Sequence, residues 1–392
     1  MSSPTLVIAD YPIGYSSGFG ETLYNLFKGF PDDKLWTAHP VHLSADENKT
    51  RGLSVKIPSP RRPKFIHRRI SLAYYPLLKT HQFVASRQTV RILGKIVNQK
   101  SVRNLLVIPV TPWILSSAIQ LHRINPSLNL VIFVMDDWQG HHECHTLPYS
   151  SRRRRLLAEA INRASTRFAV SLEMAKHYEE VYGKSWQIAH NGIGGDSVIQ
   201  QHALVQSNSN RVLLAGDVNV FRFDAVYALA AAIERHNRFH KREIEFTMMG
   251  EIAEEYRSAL SALRCVKLLG RQSHSECLRA MKMADLLYLP LAFSKRSKRI
   301  SLYSMPTKLP EYLASGKPVL FHAPENSAAY QVAKRYDLRP RLSTTNPEAL
   351  DRFIEEWTSR KNVEAELIGA RTALLEEFDI GKLAQNFQAA FV

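Results

Sequence analysis

The chain is poor in cysteine, in acidic residues relative to basic ones, and in long apolar runs. Its three cysteines, Cys144, Cys265 and Cys277, include no CxxC pair. So sparse and odd a set excludes a disulfide framework and fits a reducing compartment, the cytoplasm being the simplest expectation. No apolar run approaches the roughly 20 residues that a membrane-spanning helix needs. The opening stretch "MSSPTLVIADYP" lacks a basic region before its short apolar run, so it reads as a first strand and not as a signal peptide. No GxGxxG follows an expected strand, which argues against an NAD-dependent dehydrogenase. No RRM, KH or helix-turn-helix pattern accompanies the basic residues, so nucleic acid is not the expected partner.

What is present is a 392-residue chain, 45% hydrophobic and 9% aromatic, with a formal charge of +16. That length can bury two cores, and that composition excludes a mainly disordered chain. The positive excess favours anionic partners, phosphorylated substrates or lipid head groups among them. It concentrates in "RRPKFIHRR", Arg61 to Arg69, and "RRRR", Arg152 to Arg155. In "RRPKFIHRRISLAYYPLLK" basic residues interleave with Phe65, Ile66, Leu72, Tyr74, Tyr75 and Leu77. That mixture suits the surface of an anionic membrane, and equally a half-buried helix with a basic outer face.

Continuous apolar runs alternate with amphipathic helical patterns. "TLVIAD", "KLWTAHP", "NLLVIPV", "NLVIFVMD" and "RFAVS" read as strands, with "GETLYNLFKGF", "SSAIQLHRI" and "RRLLAEAINRAS" as helices near them. The polar stretch "QQHALVQSNSNR", Gln200 to Arg211, interrupts this, and the pattern restarts with "VLLAGD", "DAVYALAAAIERHNRF", "IEFTMMGE", "CVKLLG", a helix from Ser275 to Ala284, "LLYLPL" and "PVLFHA". Such alternation specifies parallel sheets covered on both faces. The expected organisation is two Rossmann-like α/β domains, residues 1–200 and 201–370, facing each other across a cleft, with a C-terminal helix over 371–392 that packs back on the first domain. Ligands of such sheets bind at the carboxyl ends of the strands.

The segment "YSMPTKLPEYLASGKPVLFHAP", Tyr303 to Pro324, bears on chemistry. Thr307 reads as an N-cap, the prolines are tolerated in a first turn, and Gly316 with Pro318 stops the helix after about three turns. A helix N-terminus and Lys308 suit a diphosphate, while Glu311 can accept hydrogen bonds from sugar hydroxyls. On spacing alone, a capped surface helix with solvated Lys and Glu fits as well.

"MPTKLPEYLASGKPVL" resembles the donor-site motif of GT-B glycosyltransferases, especially their large retaining, family-four-like group. There a Pro-x-Lys turn precedes a helix with a ribose-binding Glu, followed by Ala-x-Gly-x-Pro-Val. The resemblance implies that Glu311 binds the ribose hydroxyls and that Thr307 and Lys308 face the diphosphate. "GYSSGFGETLYNLF" is similar to the family's glycine-rich loop, which places Gly18, Phe19 and Gly20 beside the donor phosphate and the acceptor. "VIFVMDDW" resembles the Asp-Asp-Trp strand end of some members, and "IAHNGI" the end of the first domain, with Asn191 and Gly192 near the crossover. "VLLAGDVNVFRFDA", the Gly250 strand and the segment from Cys265 to Leu291 resemble the donor domain's first three strand regions.

The chain also departs from the pattern. The family's first glutamate, which contacts the donor sugar, falls at Tyr303. An Arg after the first donor-domain glycine falls at Asp217, and a Lys five positions on falls at Arg222. Arg222 still suits a phosphate, bidentately; Asp217 does not. Base readout is expected around Gly270 to Ser273, with Arg271 as a base contact and Tyr303 as a sugar contact.

These implications make a transferase that moves a sugar from a nucleotide-sugar donor to a hydroxyl of a saccharide or lipid-linked acceptor, retaining and independent of metal, in polysaccharide or glycolipid synthesis. No cofactor is expected, since the nucleotide-sugar is a substrate. Asp136 and Asp137, at a strand end, are the candidates to orient or deprotonate the acceptor hydroxyl; each alone also reads as a helix cap. "GHHECH", with His141, His142, Cys144 and His145, lacks the second cluster of a zinc site, so no metal is expected. Tyr303 and Asp217 keep open a non-catalytic binding protein of the same fold, and a nucleotide-sugar epimerase is the other alternative.

Overall fold

The computed structural model describes residues 2–15, 17–43, 49, 51–60, 71–144, 151–194, 210–241, 243–359 and 364–391, of which 71–79, 142–144 and 364–367 by backbone alone. The chain divides into two compact units. Unit 1 contains Met1–His142, Leu147–Asn191 and Lys382–Val392; unit 2 contains Glu143–Thr146 and Gly192–Gly381. The stretch that sequence marks as a boundary, 200–209, lies outside the described residues, as does 61–70 with its basic and aromatic side chains.

Unit 1 holds seven strands: β1 (Thr5–Ile8), β2 (Leu35–Pro40), β3 (Leu53–Ile57), β4 (Asn104–Val107), β5 (Asn129–Val134), β6 (Thr166–Ala169) and β7 (Gln187–Ile188). They form one sheet in the order β3-β2-β1-β4-β5-β6-β7, parallel throughout. The central strands β1, β2 and β4 are buried along their whole length. That is what continuous apolar runs with helices on both faces require. The edge strand β3 is different: four of its five residues keep accessible surface, so its sequence "LSVKI" carries no apolar run to announce it.

Residues Lys382–Val392, at the end of the C-terminal segment, complete this unit. Sequence predicts one helix over 371–392; the structure has two, Glu364–Glu376 and Ile380–Gln388. Glu377–Asp379 separates them, Phe378 is fully buried, and Asp379 Oδ1 accepts from Gly381 N–H at 2.8 Å. Beyond that break, the Phe387 ring lies 4.9 Å from Phe168, 5.4 Å from Phe27 and 5.3 Å from Phe391. Gln388 Nε2 donates to the carbonyls of Leu26 and Lys28, which the helix Gly18–Leu26 leaves open at its end.

Unit 2 holds β8 (Asn210–Ala215), β9 (Ile244–Met249), β10 (Val266–Gly270), β11 (Leu286–Pro290), β12 (Val319–His322) and β13 (Arg341–Leu342). Their order, β10-β9-β8-β11-β12-β13, is again parallel. The core gathers Val212, Leu214, Phe246, Met248, Leu286 and Tyr288 from the strands, and Val226, Leu229, Ile233, Leu350 and Ile354 from the helices Phe223–Phe239 and Pro347–Ser359. In both units the strand order reverses beside the first strand, between β1 and β4 and between β8 and β11. The carboxyl ends at such a reversal form a crevice that suits a ligand.

Candidate functional site

Each reversal point is closed by a carboxylate that sequence reasoning did not single out. In unit 1, Asp10 follows β1 and reaches across to the chain after β4. Its Oδ2 accepts from Thr111 N–H at 3.0 Å and its Oδ1 from Thr111 Oγ1 at 2.7 Å. In unit 2, Asp224 stands in the first turn of the helix Phe223–Phe239. Its Oδ2 accepts from the N–H groups of Phe293 and Ser294, at 2.8 and 2.6 Å, in the loop after β11. Hydrogen bonds to an ionised acceptor are the stronger kind, so each carboxylate fixes the walls of its crevice.

The motif segment leaves the crevice of unit 2 next. Its helix is Leu309–Ala314, six residues and not the expected three turns. Lys308, not Thr307, is the N-cap, and no side chain caps it. Pro306 to Leu309 forms a turn instead, closed by Leu309 N–H to the Pro306 carbonyl at 3.0 Å. Gly316, at φ +69°, ends the segment as sequence predicts. So short a helix has little macrodipole, and positive charge for an anion must come from side chains.

Those side chains are close together. Lys308 Nζ donates to Glu311 Oε2 at 2.9 Å; the Glu311 side chain is 13% exposed and that of Lys308 33%. One residue on, the buried hydroxyl of Tyr312 accepts from Ala215 N–H, the last residue of β8, at 2.7 Å. Burial raises the pKa of this phenol, so it stays a neutral hydroxyl. With a longer bond that the same hydroxyl donates to the Ala215 carbonyl at 3.5 Å, this contact joins the motif helix to the strand end before Gly216. Over Gly216 lies Arg222, half-buried, with Nη1 donating to the Asp217 carbonyl at 3.0 Å. A Cβ on Gly216 would come within 2.6 Å of that nitrogen. Burial lowers the Arg222 pKa and the nearby Tyr312 and Asp217 oppose the shift; an arginine remains charged in any case. Cys277, buried in the helix His274–Met283, has its thiol pKa raised by burial, with Lys308 opposing that and Glu311 adding to it.

Asp217 does not face an anion. Its Oδ1 accepts from Glu251 N–H at 2.8 Å, and its Oδ2 lies 3.6 Å from Arg271 Nη2. The same Arg271 nitrogen reaches Glu251 Oε2 at 3.2 Å. These three residues follow the ends of β8, β9 and β10, so Arg271 holds two carboxylates. Gly250 is required there: a Cβ on it would sit 2.4 Å from the Gly216 carbonyl oxygen. Tyr303 ends the helix Lys298–Tyr303, with the Arg299 guanidinium 5.5 Å over its ring.

In unit 1, Gly18 and Gly20 occupy the first turn of the helix Gly18–Leu26, whose N-cap Ser17 accepts from Gly20 N–H at 3.3 Å. A Cβ on Gly20 would meet the Tyr15 backbone at 2.4 Å. Beside that turn Tyr11 stacks on Tyr15 at 5.2 Å and on Phe19 at 5.9 Å, all three half-buried. Asn191, where unit 1 gives way to unit 2, accepts from Asn25 Nδ2 at 2.8 Å.

The paired aspartates after β5 separate into two roles. Asp137 is wholly buried and caps the helix Trp138–Cys144: its Oδ2 accepts from Gly140 N–H at 2.7 Å and its Oδ1 from the Tyr178 hydroxyl at 3.1 Å. Asp136 keeps some accessible surface. Burial first, and the neighbouring Asp137 second, push its pKa up to about 6. Of the histidine cluster, His141 is half-buried, while His145 and the side chains of His142 and Cys144 lie outside the described residues. Among the described residues no group of three or more His, Cys, Asp or Glu could hold a metal ion, and no helix is long and apolar enough to cross a membrane.

No family model and no curated protein matches this sequence. Solved structures do. The sucrose-phosphate synthase of Thermosynechococcus elongatus matches with a TM-score of 0.64 at 10% identity, over 98% of this chain and 97% of that one. WaaG, a glycosyltransferase involved in lipopolysaccharide biosynthesis, matches with a TM-score of 0.60 at 14% identity, over 99% of each chain. The fold is GT-B. A Listeria monocytogenes protein described as a UDP-N-acetylglucosamine 2-epimerase shares it, with a TM-score of 0.60 at 12% identity over 99% of this chain and 96% of that one. Of the residues that the sequence singled out, Lys308, Glu311 and Arg222 lie in unit 2, and the glycine-rich turn and the aspartate pair lie in unit 1.

Proposed function

We propose that this protein is a glycosyltransferase that takes a sugar from a nucleotide-sugar donor and passes it to a hydroxyl of a saccharide or lipid-linked acceptor. The observation that carries this reading is the Lys308–Glu311 pair, in a helix that Tyr312 ties to the end of β8, with Arg222 over Gly216 just beyond that strand end. A lone carboxylate that is 13% exposed would be costly, and its lysine partner offsets part of that cost. When a nucleoside diphosphate binds, Lys308 exchanges part of its contact with Glu311 for phosphate oxygens, and Glu311 accepts from the ribose hydroxyls. Thr307, next to Lys308 in the chain, borders the phosphates.

Breaking a sugar–phosphate bond places negative charge on the departing diphosphate, so the main catalytic task is to hold that charge. Lys308 and Arg222 supply two cations for it, which makes a metal unnecessary. Asp136 orients the acceptor hydroxyl and, ionised above about pH 6, takes up its developing positive charge. The rings of Tyr11, Tyr15 and Phe19 offer flat apolar faces on which a sugar ring of the acceptor can stack. Retention of configuration, a role in cell-surface polysaccharide or glycolipid synthesis, and residence on the cytoplasmic membrane face follow from the donor-motif resemblance and the basic N-terminal half.

A nucleotide-sugar epimerase is the second reading, supported by the epimerase of the same fold. Incubation with a nucleotide-sugar alone separates the two. Interconversion of the donor without any acceptor supports the epimerase, and release of nucleoside diphosphate that depends on added acceptor supports transfer.

A further inference from the structure

Unit 2 also has a basic concavity, built from none of the residues of the candidate site. A cavity of about 480 Å³ opens at the outer edge of its sheet, beside β13. It is lined by Arg339 and Arg341 from that edge, by Arg352 and Phe353 from the helix Pro347–Ser359, and by Tyr330 from the helix Ala328–Arg335.

Its charges are arranged for an anion. Arg339 Nε and Arg341 Nη2 both reach one oxygen, Asp337 Oδ1, at 3.0 and 3.5 Å. Asp337 and Arg339 are 68% and 59% exposed, so that pairing is weak and exchangeable. Arg341 is anchored: its Nη1 donates to the Ala333 carbonyl at 3.0 Å and its side chain is 21% exposed. Arg352 has no ion-pair or hydrogen-bond partner among the described residues, although Glu356, one turn on, lines the same cavity. Three arginines therefore line one concavity in which Glu356 is the one acidic lining residue, while Asp337, outside that lining, is shared by two of them. A guanidinium fork matches the oxygens of a phosphate. The Tyr330 and Phe353 rings give the remaining wall a flat face, and the volume lies in the range of small-molecule sites.

We propose that this edge of unit 2 binds a phosphate ester of a small ring-bearing molecule, at a site separate from the one that holds the donor. Sugar phosphates and nucleoside monophosphates share that chemistry. The inference does not rest on the proposed transferase activity.

Calorimetric titration of the full chain at low salt with glucose 6-phosphate and with AMP tests it, with glucose and adenosine as unphosphorylated controls. At least one ester is expected to saturate a single site, while neither control does. Which one binds tells whether the ring face takes a sugar or a base. The exposed Arg352→Ala should weaken binding about tenfold or more, Arg352→Lys should recover part of that, and Lys308→Ala should leave it unchanged. Failure of both esters to saturate, or equal binding of an unphosphorylated control, overturns the proposal. So does loss of binding in Lys308→Ala with Arg352→Ala unaffected, since the anion would then occupy the donor site.

Discussion

Replacing Asp136 by Asn should change stability in a pH-dependent way whose sign follows from its surroundings. Burial and the adjacent Asp137 raise its pKa from 3.8 to about 6. The folded state therefore holds the Asp136 proton more tightly than the unfolded chain does. Well below pH 4 both states are protonated and that preference stabilises the fold in full; it is lost as pH rises from about 4 through about 6. A shift of a little over two units, at about 1.4 kcal/mol each, sets an upper limit of about 3 kcal/mol. Solvent reaching the part-exposed residue reduces it. Asp136→Asn removes the titrating group while keeping its shape, so the variant should gain up to about 3 kcal/mol over the parent near pH 8 and nearly nothing near pH 3. Urea unfolding followed by tryptophan fluorescence suits the comparison, because Trp36, Trp113, Trp138 and Trp186 all lie in unit 1. A difference between variant and parent that is the same at both pH values would refute the assignment of a strained, ionisable carboxylate here.

Two further substitutions test the scaffold of the site. Tyr312→Phe leaves the Ala215 N–H without its acceptor at the end of β8, and should cost about 1 to 3 kcal/mol in the unfolding of unit 2, measured by urea denaturation. An unchanged midpoint would mean that the bond does not hold the motif helix. Asp224→Ala removes the acceptor of two backbone N–H groups at the β8–β11 crevice and should cost about 2 kcal/mol or more. Hydrogen exchange at Phe293 and Ser294 should accelerate in that variant, and unaltered protection there would contradict the role given to Asp224.

The fold was legible where burial is two-sided. "TLVIAD", "NLLVIPV" and "LLYLPL" carry continuous apolar runs because their strands lie in the middle of covered sheets. The exposed edge strand β3 and the two-residue strands β7 and β13 carry no such run, and sequence missed them. Lys308 and Glu311 were legible because residues three apart on a helix are neighbours wherever that helix packs. The length of that helix was not, since a turn at Pro306 to Leu309 uses residues that helical periodicity alone cannot tell from a first turn. The contacts that build the crevice join Tyr312 to Ala215, Asp224 to Phe293, and Asp10 to Thr111. Residues so far apart in the chain leave no local signal. Nor could spacing reveal that Asp217 is engaged by Glu251 and Arg271, or that Asp137 is a wholly buried cap while Asp136 is half-buried.

The central claim is that Lys308 and Glu311 bind the nucleotide end of a nucleotide-sugar. Calorimetric titration of the parent, Lys308→Ala and Glu311→Ala with a panel of nucleoside diphosphates tests it most directly. At least one diphosphate should bind the parent, and each substitution removes a charge-assisted contact of about 1.5 to 3 kcal/mol, so affinity should fall about tenfold to a hundredfold in each variant. Circular dichroism should show both variants folded. Unchanged affinity in both, with the parent binding well, would contradict the assignment of this site.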